Sequence, residues 1–105
     1  MANKKWTPVL EEAALEEDAI TEAYPKGIGI ILVKREGSVY AIRNRCAHMA
    51  CPLAGGVLDG FIVECPCHDW RFDIRTGEFV SARELGVPTY ETKVEGGQVH
   101  VLMEG

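Results

Sequence analysis

The stretch Ile28-Gly29-Ile30-Ile31-Leu32-Val33 decides the fold, together with Val39-Tyr40-Ala41-Ile42, which follows after a short polar segment. An apolar run of this length, bounded by turn residues, is typical of a buried strand. The segment between the two runs contains Gly37, and glycine accepts the backbone conformation of a tight turn. We therefore predict a β-hairpin here.

The rest of the chain carries further signals for short strands. Apolar or alternating segments that border turn residues are found at Phe61–Val63, Arg71–Ile74, Thr89–Val94 and Gln98–Leu102. The last two flank Gly96-Gly97, which indicates a tight hairpin. Short strands separated by many of the 11 glycines favour an all-β fold, an antiparallel barrel or sandwich.

The length and composition indicate one globular domain. The chain has 105 residues, of which 47% are hydrophobic and 26% charged. We predict a single domain over residues 1–105 in which residues from about 43 to 80, richer in Cys, His, Pro and Gly, form loops that carry the chemistry. The remainder is predicted to form the base β domain.

The charges and the apolar segments bear on partners and location. A net charge of -5 argues against nucleic acid, because phosphate binding needs a basic surface. The longest aliphatic run, residues 27–33, is too short to span a membrane, and residues 1–8 contain no apolar signal-peptide core. We therefore expect a cytoplasmic protein without a membrane partner. Four cysteines in such a protein indicate metal or redox chemistry.

An acidic stretch precedes the first predicted strand. Six acidic residues lie between Glu11 and Glu22 before any basic residue appears there. Such runs usually form a solvated surface, which is what we expect here. Residues 13–17 have helical propensity, so one short turn of helix is predicted within the stretch.

Two Cys–His motifs mark a candidate metal site. Cys46 and His48 form the first motif, and Cys65 and His68 form the second after an interval of 16 residues. Two such pairs on two loops can converge on one metal centre. A mononuclear zinc site is possible, although zinc sites usually pair two cysteines or two histidines at short spacing.

This pattern resembles the Rieske family, whose motif is Cys-x-His, a spacer and then Cys-x-x-His. The similarity extends to Trp6 and to residues 39–42, 71–77 and 94–99, and so covers nearly the whole chain. The resemblance implies a Rieske-like antiparallel fold with an inserted cluster-binding loop subdomain and one [2Fe–2S] cluster. Cys46 and Cys65 would bind one iron, and His48 and His68 would bind the other.

This ligand set raises the reduction potential. Replacing two thiolates by neutral imidazoles makes the oxidised site neutral, so it accepts an electron more readily, at about -150 to +300 mV. Respiratory Rieske proteins carry Ser and Tyr hydroxyls near the cluster, where this chain has Trp70 and Phe72. Without those hydroxyls, we expect a potential in the lower half of the range.

Cys51 and Cys67 are the remaining cysteines. Their places resemble those of the cysteine pair that forms a disulfide between the two cluster loops in Rieske proteins of respiratory complexes, which implies a Cys51–Cys67 disulfide here. The alternative is two free thiols packed as small apolar groups.

The resemblance implies a soluble one-electron carrier between a reductase and an acceptor oxidoreductase such as an oxygenase. We do not expect an enzyme, because only His100 would remain once two histidines bind the cluster, too few for an oxygenase iron site. The alternatives are a small subunit of a larger oxidoreductase such as nitrite reductase, a zinc-binding interaction module, or a redox sensor that uses Cys51 and Cys67.

Overall fold

The computed structural model describes residues 4–45, 52–67 and 70–104. Within these ranges the chain forms twelve strands in three antiparallel sheets and no α-helix, which confirms the predicted fold class. The strands are β1 (Lys4–Glu11), β2 (Ile20–Ala23), β3 (Ile30–Arg35), β4 (Ser38–Arg43), β5 (Val57–Asp59), β6 (Ile62–Glu64), β7 (Arg71–Asp73), β8 (Glu78–Phe79), β9 (Ala82–Gly86), β10 (Thr89–Tyr90), β11 (Thr92–Glu95) and β12 (Gln98–Glu104).

The three sheets stack as layers, with the sheet β10-β4-β3-β2 in the middle. Ile30 and Leu32 pack with Val99 and neighbouring residues of the sheet β1-β12-β11. Ile31 packs on the other face, in the core shared with the sheet β5-β6-β7-β8-β9. Because successive side chains of a strand point to opposite faces, the continuous apolar run of β3 serves two cores at once.

Both predicted hairpins are present, and their turns contain the glycines that the sequence indicated. β3 and β4 pair from Ile30↔Arg43 to Arg35↔Ser38 and are joined by Glu36 and Gly37. Both turn residues have positive φ, 53° and 80°, which is the conformation of the two-residue turn that suits a hairpin. Gly96-Gly97 joins β11 to β12 in the same way, with φ of 61° and 78°.

Several elements differ from the sequence prediction. The segment predicted as one strand, Thr89–Val94, is two strands, because β10 pairs with β4 while β11 pairs with β12. The interruption at Glu91 moves the chain from one sheet to the next. The predicted helical turn is a single 3-10 turn at Glu12–Ala14, after which the side chain of Leu15 is buried.

The first sheet contains the longest strand pairing. β1 pairs with β12 from Lys4↔Glu104 to Glu11↔Gln98, and a β-bulge shifts the register between Pro8 and Leu10. β1 is an edge strand of this sheet. In the part of the chain that the structure describes, no helix is long and apolar enough to cross a membrane.

Candidate metal centre

The second Cys–His motif begins at a buried cysteine. Cys65 directly follows β6, its side chain is only 2% exposed, and it packs in the core with Val63 and Phe72. Its backbone N–H donates a hydrogen bond to the carbonyl oxygen of Trp70 at 2.8 Å. This bond joins the end of β6 to the residue before β7, so Cys65 is held at the root of the segment that links the two strands.

The end of the first motif's loop lies directly against this second loop. A Cβ atom built on Gly56 would lie 2.0 Å from the carbonyl oxygen of Glu64, the residue before Cys65. Since no side chain tolerates that distance, only glycine allows the two backbones to approach so closely. A Cβ on the preceding Gly55 would lie 3.6 Å from Cγ of Pro66. The described parts of the two loops are therefore packed together.

An aromatic stack supports the far side of the second loop. The ring of Trp70 lies parallel to that of Phe79, with ring centroids 4.0 Å apart and an interplanar angle of 3°. Phe72 completes the group at 5.8 Å from Phe79. Since Trp70 also accepts the hydrogen bond from Cys65, the stack on β8 holds the point at which the loop returns to the sheet.

A third loop, at Val87-Pro88, lies next to Arg43, where the loop of the first Cys–His motif begins. The carbonyl oxygen of Pro88 accepts a hydrogen bond from the N–H of Arg43 at 2.9 Å, and the N–H of Val87 donates to the carbonyl oxygen of Gly77 at 2.9 Å. Gly77 has a φ of 76°, and a Cβ built on it would lie 2.2 Å from the carbonyl oxygen of Val87. The third loop is thus held by backbone contacts on both sides.

Two arginines stack on Phe61, and one of them, Arg35 of β3, joins the middle sheet to the sheet of β5–β9. The guanidinium groups of Arg35 and Arg75 lie 5.0 and 4.3 Å from the ring centroid of Phe61. Arg75 also donates two side-chain hydrogen bonds to the buried carboxylate of Asp73, at 3.0 and 2.9 Å. These bonds lower the pKa of Asp73 below its usual value, against the opposing effect of burial.

The predicted site residues fall partly outside the described ranges. Cys46, His48, Cys51 and His68 all lie outside the described residues. Cys65 is present as a free, buried cysteine, and Cys67 is exposed. Among residues 4–45, 52–67 and 70–104, no three His, Cys, Asp or Glu side chains are grouped so that they could hold a metal ion.

Comparison with known proteins decides the family. A model of the Rieske [2Fe-2S] domain matches residues 5–91. The chain belongs to the Rieske family. A Rieske domain holds one [2Fe–2S] cluster, and the predicted cofactor is thereby confirmed. The zinc-binding module is the wrong alternative.

Relatives identify the kind of Rieske protein. The chain is 32% identical over 99 residues to the ferredoxin component of a naphthalene 1,2-dioxygenase system from Pseudomonas aeruginosa, covering 93% of this chain and 95% of that one. The solved ferredoxin of carbazole 1,9a-dioxygenase from Nocardioides aromaticivorans is 34% identical with a TM-score of 0.82, covering 90% of this chain and 96% of that one. This Rieske protein is therefore an electron carrier and not a catalytic subunit, as the sequence predicted.

A third similarity comes from a complex of reduced oxygenase and oxidised ferredoxin in carbazole 1,9a-dioxygenase. That solved chain is 27% identical with a TM-score of 0.86, and the match covers 97% of this chain and 96% of that one. The similarity again extends over almost the whole length of both chains, so the arrangement of sheets described above is shared with that ferredoxin chain.

The described donor set fits a [2Fe–2S] cluster. Iron in such clusters is bound by thiolate, and Cys65 supplies a free thiol buried at the root of the second loop. Sequence reasoning missed the supporting contacts of three residues, Asn44, Gly56 and Trp70. Gly56 was recognisable as a loop glycine, but its close approach to Glu64 depends on tertiary structure. Asn44 had one signal, its position two residues before Cys46.

Proposed function

We propose that this chain is the ferredoxin component of an oxygenase system, which receives one electron from a reductase and delivers it to an oxygenase. The observation that carries this proposal is the full-length similarity to the ferredoxin component of a naphthalene 1,2-dioxygenase system. Both partners would dock transiently, through small interfaces near the cluster loops.

The proposed ligands are Cys46 and Cys65 on one iron, and His48 and His68 on the other. When bound, the cluster would accept and return one electron. The burial of Cys65 and its hydrogen bond to Trp70 support this assignment, because a ligand held in one position requires less rearrangement when the charge of the site changes. The packing of Gly56 on Glu64 supports it further, since the two ligand loops must lie side by side.

We further propose a reduction potential in the lower half of the Rieske range. Hydrogen bonds to the cluster or its cysteines stabilise the additional negative charge of the reduced state. Neither Trp70, which stacks on Phe79, nor the buried Phe72 has a hydroxyl group that could supply such a bond. A midpoint near +300 mV, about the top of the range, would contradict this expectation.

A disulfide between Cys51 and Cys67 is also part of the proposal. This pairing rests on the resemblance of Cys51 and Cys67 to the bridged cysteines of respiratory Rieske proteins, and the exposure of Cys67 on the second loop leaves its sulfur accessible to a partner. If the protein is cytoplasmic, as we propose, the bond must resist reduction by the cellular thiol pool. Counting thiols in the denatured protein, with and without prior reduction, tests the bond. Two additional reactive thiols after reduction would support it, and an unchanged count would contradict it.

The domain division is proposed as follows. Residues 1–105 form one Rieske domain, and the cluster-binding subdomain comprises the loops and short strands from about residue 43 to residue 80. The pairing of β8 with β9, which ends at Gly86, suggests that this subdomain includes the next strand as well. Limited proteolysis that cuts between residues 80 and 90 without loss of the cluster would contradict the extension.

Electron paramagnetic resonance at low temperature tests the proposed function. We expect a rhombic signal that is present only after dithionite reduction, with an average g value below that of an all-cysteine cluster. Cys65→Ser should abolish the signal, whereas Cys67→Ser, the matched control on the same loop, should retain it. The reduced protein should then pass its electron to a purified Rieske oxygenase. A reduced signal of the all-cysteine type would overturn the ligand set.

A further inference from the structure

Asn44 forms hydrogen bonds to three separate segments of the chain. Its backbone N–H donates to the carbonyl oxygen of Gly29 at 3.0 Å, just before β3. Its side-chain Nδ2 donates to Oε2 of Glu22 on β2 at 2.9 Å. Its side-chain Oδ1 accepts a hydrogen bond from the N–H of Ala54 at 2.8 Å. One residue therefore joins the middle sheet to the segment that follows the first ligand loop.

Asn44 and its partner Ala54 lie at the two ends of the stretch that contains the first Cys–His motif. Asn44 directly follows β4 and lies two residues before the proposed ligand Cys46, whereas Ala54 lies in the 3-10 turn Leu53–Gly55. The bond between them joins the two ends of the stretch that contains Cys46 and His48. Tying the ends of a loop reduces the conformational freedom of the residues between them.

The orientation of the Asn44 amide is fixed by its neighbours. The carboxylate of Glu22 can only accept hydrogen bonds, so the NH2 group must face Glu22 and the carbonyl oxygen must face Ala54. The hydroxyl group of Tyr24 also donates to Glu22, and this bond raises the pKa of Tyr24 above its usual value. The Tyr24 ring packs closely over Gly29, where a built Cβ would lie 3.2 Å from Cε1.

We propose that Asn44 is a positioning residue that holds the first ligand loop in the conformation that binds the cluster. It acts by fastening both ends of the loop to each other and to Glu22. This inference rests on the proposed ligand set. Partners that orient metal ligands without touching the metal commonly change metal affinity by about ten- to hundredfold when they are removed.

Donor and acceptor can be exchanged to test the proposal. Asn44→Asp keeps an acceptor for Ala54 but sets two carboxylates against each other, so the tie to β2 should break. The double variant Asn44→Asp/Glu22→Gln restores the pair, because the introduced glutamine NH2 takes the place of the Oε2 atom that both neighbours contact, and it can donate one N–H to the new carboxylate and the other to the Tyr24 hydroxyl oxygen. The control is Thr92→Val, which removes a hydrogen bond from Thr92 to the carbonyl oxygen of Val39, 2.7 Å long and remote from the loop.

The measured quantities are the rate of cluster loss, from visible absorbance, and the paramagnetic resonance spectrum of the reduced protein. We expect Asn44→Asp to lose the cluster roughly tenfold faster and to broaden or shift the spectrum. The double variant should return to within about twofold of the wild type, given that paired substitutions restore a direct interaction. Thr92→Val should lower the melting temperature and leave both cluster measurements unchanged.

The outcomes separate this inference from the proposed function. A wild-type spectrum and rate in Asn44→Asp would overturn the positioning role alone. The same faster loss in Thr92→Val would also overturn it, because general destabilisation would then explain the effect. Failure of the double variant to recover would show that the hydrogen-bonded tie to Glu22 is not the cause. No histidine-type signal from the wild type would overturn the proposed function and this inference together.

Discussion

The two halves of the molecule are stabilised in different ways. The base, formed by the middle sheet and the sheet β1-β12-β11, has strands such as β1, β3 and β12 of eight, six and seven residues. The sheet β5–β9, which carries the proposed second ligand loop, has strands of two to five residues. Long ladders of backbone hydrogen bonds are replaced there by particular contacts: a glycine packed on backbone, a stacked aromatic pair and a buried carboxylate.

The difference in strand length between the two halves is related to their roles. Short strands leave more of the chain in loops, and loops are where ligands of a metal centre can be presented to a partner. Because few regular hydrogen bonds hold those loops in place, their conformation depends on individual side-chain contacts. In the base, by contrast, we expect the long strand ladders to persist when one side-chain contact is lost. Four sets of substitutions test this contrast, in order of decreasing effect.

The largest effect should come from the two cores. Phe72→Ala removes a fully buried ring beside Cys65 and should cost about 3–5 kcal/mol, while Leu32→Ala in the other core should cost about 2–5 kcal/mol. We expect Phe72→Ala to lose the cluster below the temperature at which its β-structure melts, and Leu32→Ala to lose both together. Visible absorbance and far-ultraviolet circular dichroism, recorded during one heating experiment, provide the two readings. Simultaneous loss in both variants would mean that the halves form one cooperative unit.

The second comparison is between alanine substitutions at Gly77 and at Gly37. Both have positive φ, 76° and 80°, but a Cβ on Gly77 would overlap the Val87 backbone, whereas nothing lies within 4 Å of one on Gly37. Gly37→Ala should therefore cost only the backbone strain of about 1–2 kcal/mol, and Gly77→Ala about 1–3 kcal/mol more. Thermal melting of both variants measures the difference. Equal melting temperatures would show that the third loop shifts freely and is not held by this contact.

A pH-dependent effect is expected at Asp73. Arg75 lowers the pKa of this carboxyl in the folded protein, so its contribution to stability is present above the unfolded pKa of about 3.9 and is lost as the pH falls through the folded value. Asp73→Asn should lower the melting temperature by about 8 °C at pH 7. The difference from the wild type should shrink below about pH 4. A difference that is constant from pH 3 to pH 7 would exclude the ionised carboxylate as its source.

The smallest effect concerns the stack of Trp70 on Phe79. Phe79→Leu keeps an apolar side chain but removes the ring contact, which is worth about 0.5–1.5 kcal/mol beyond buried area. We expect the melting temperature to fall by about 4 °C. The cluster should also be lost faster, because Trp70 accepts the hydrogen bond from Cys65. The control Phe61→Leu, at the junction of the sheets, should affect melting without changing the rate of cluster loss.

The sequence predicted strands best where the pattern was strong locally. The hairpin of β3 and β4 follows from a continuous apolar run and from Gly37 in the turn. β1 gave no such signal, because it lies at an edge, is largely exposed and contains Pro8. The predicted strand Thr89–Val94 could not be divided from sequence, since only the pairing partners of β10 and β11 show that the chain changes sheets.

The sequence predicted the Cys–His motifs of the candidate site, but it did not predict the hydrogen bonds that surround them. The spacing of Cys65 and His68 after the first motif is a local pattern, so it could be recognised without any structure. The acidic stretch, predicted as a solvated surface, is mostly exposed as expected, yet Glu22 and Asp18 also bind Asn44 and Arg35. The bond between Glu22 and Asn44 spans 22 positions of the chain, and the bond between Asp18 and Arg35 spans 17. A local sequence pattern cannot predict contacts over such separations.

The bulge at Pro8 has a consequence for how copies of the protein behave towards each other. An edge strand with regular spacing offers free backbone groups to any other strand, which is a common beginning of aggregation. Pro8 has no N–H to offer, and the shift of register before Leu10 interrupts the spacing that a second strand would need. A shuttle must separate from each partner in order to meet the next one. We therefore expect the irregular edge of β1 to disfavour pairing between copies of the protein and to leave each molecule free for that exchange.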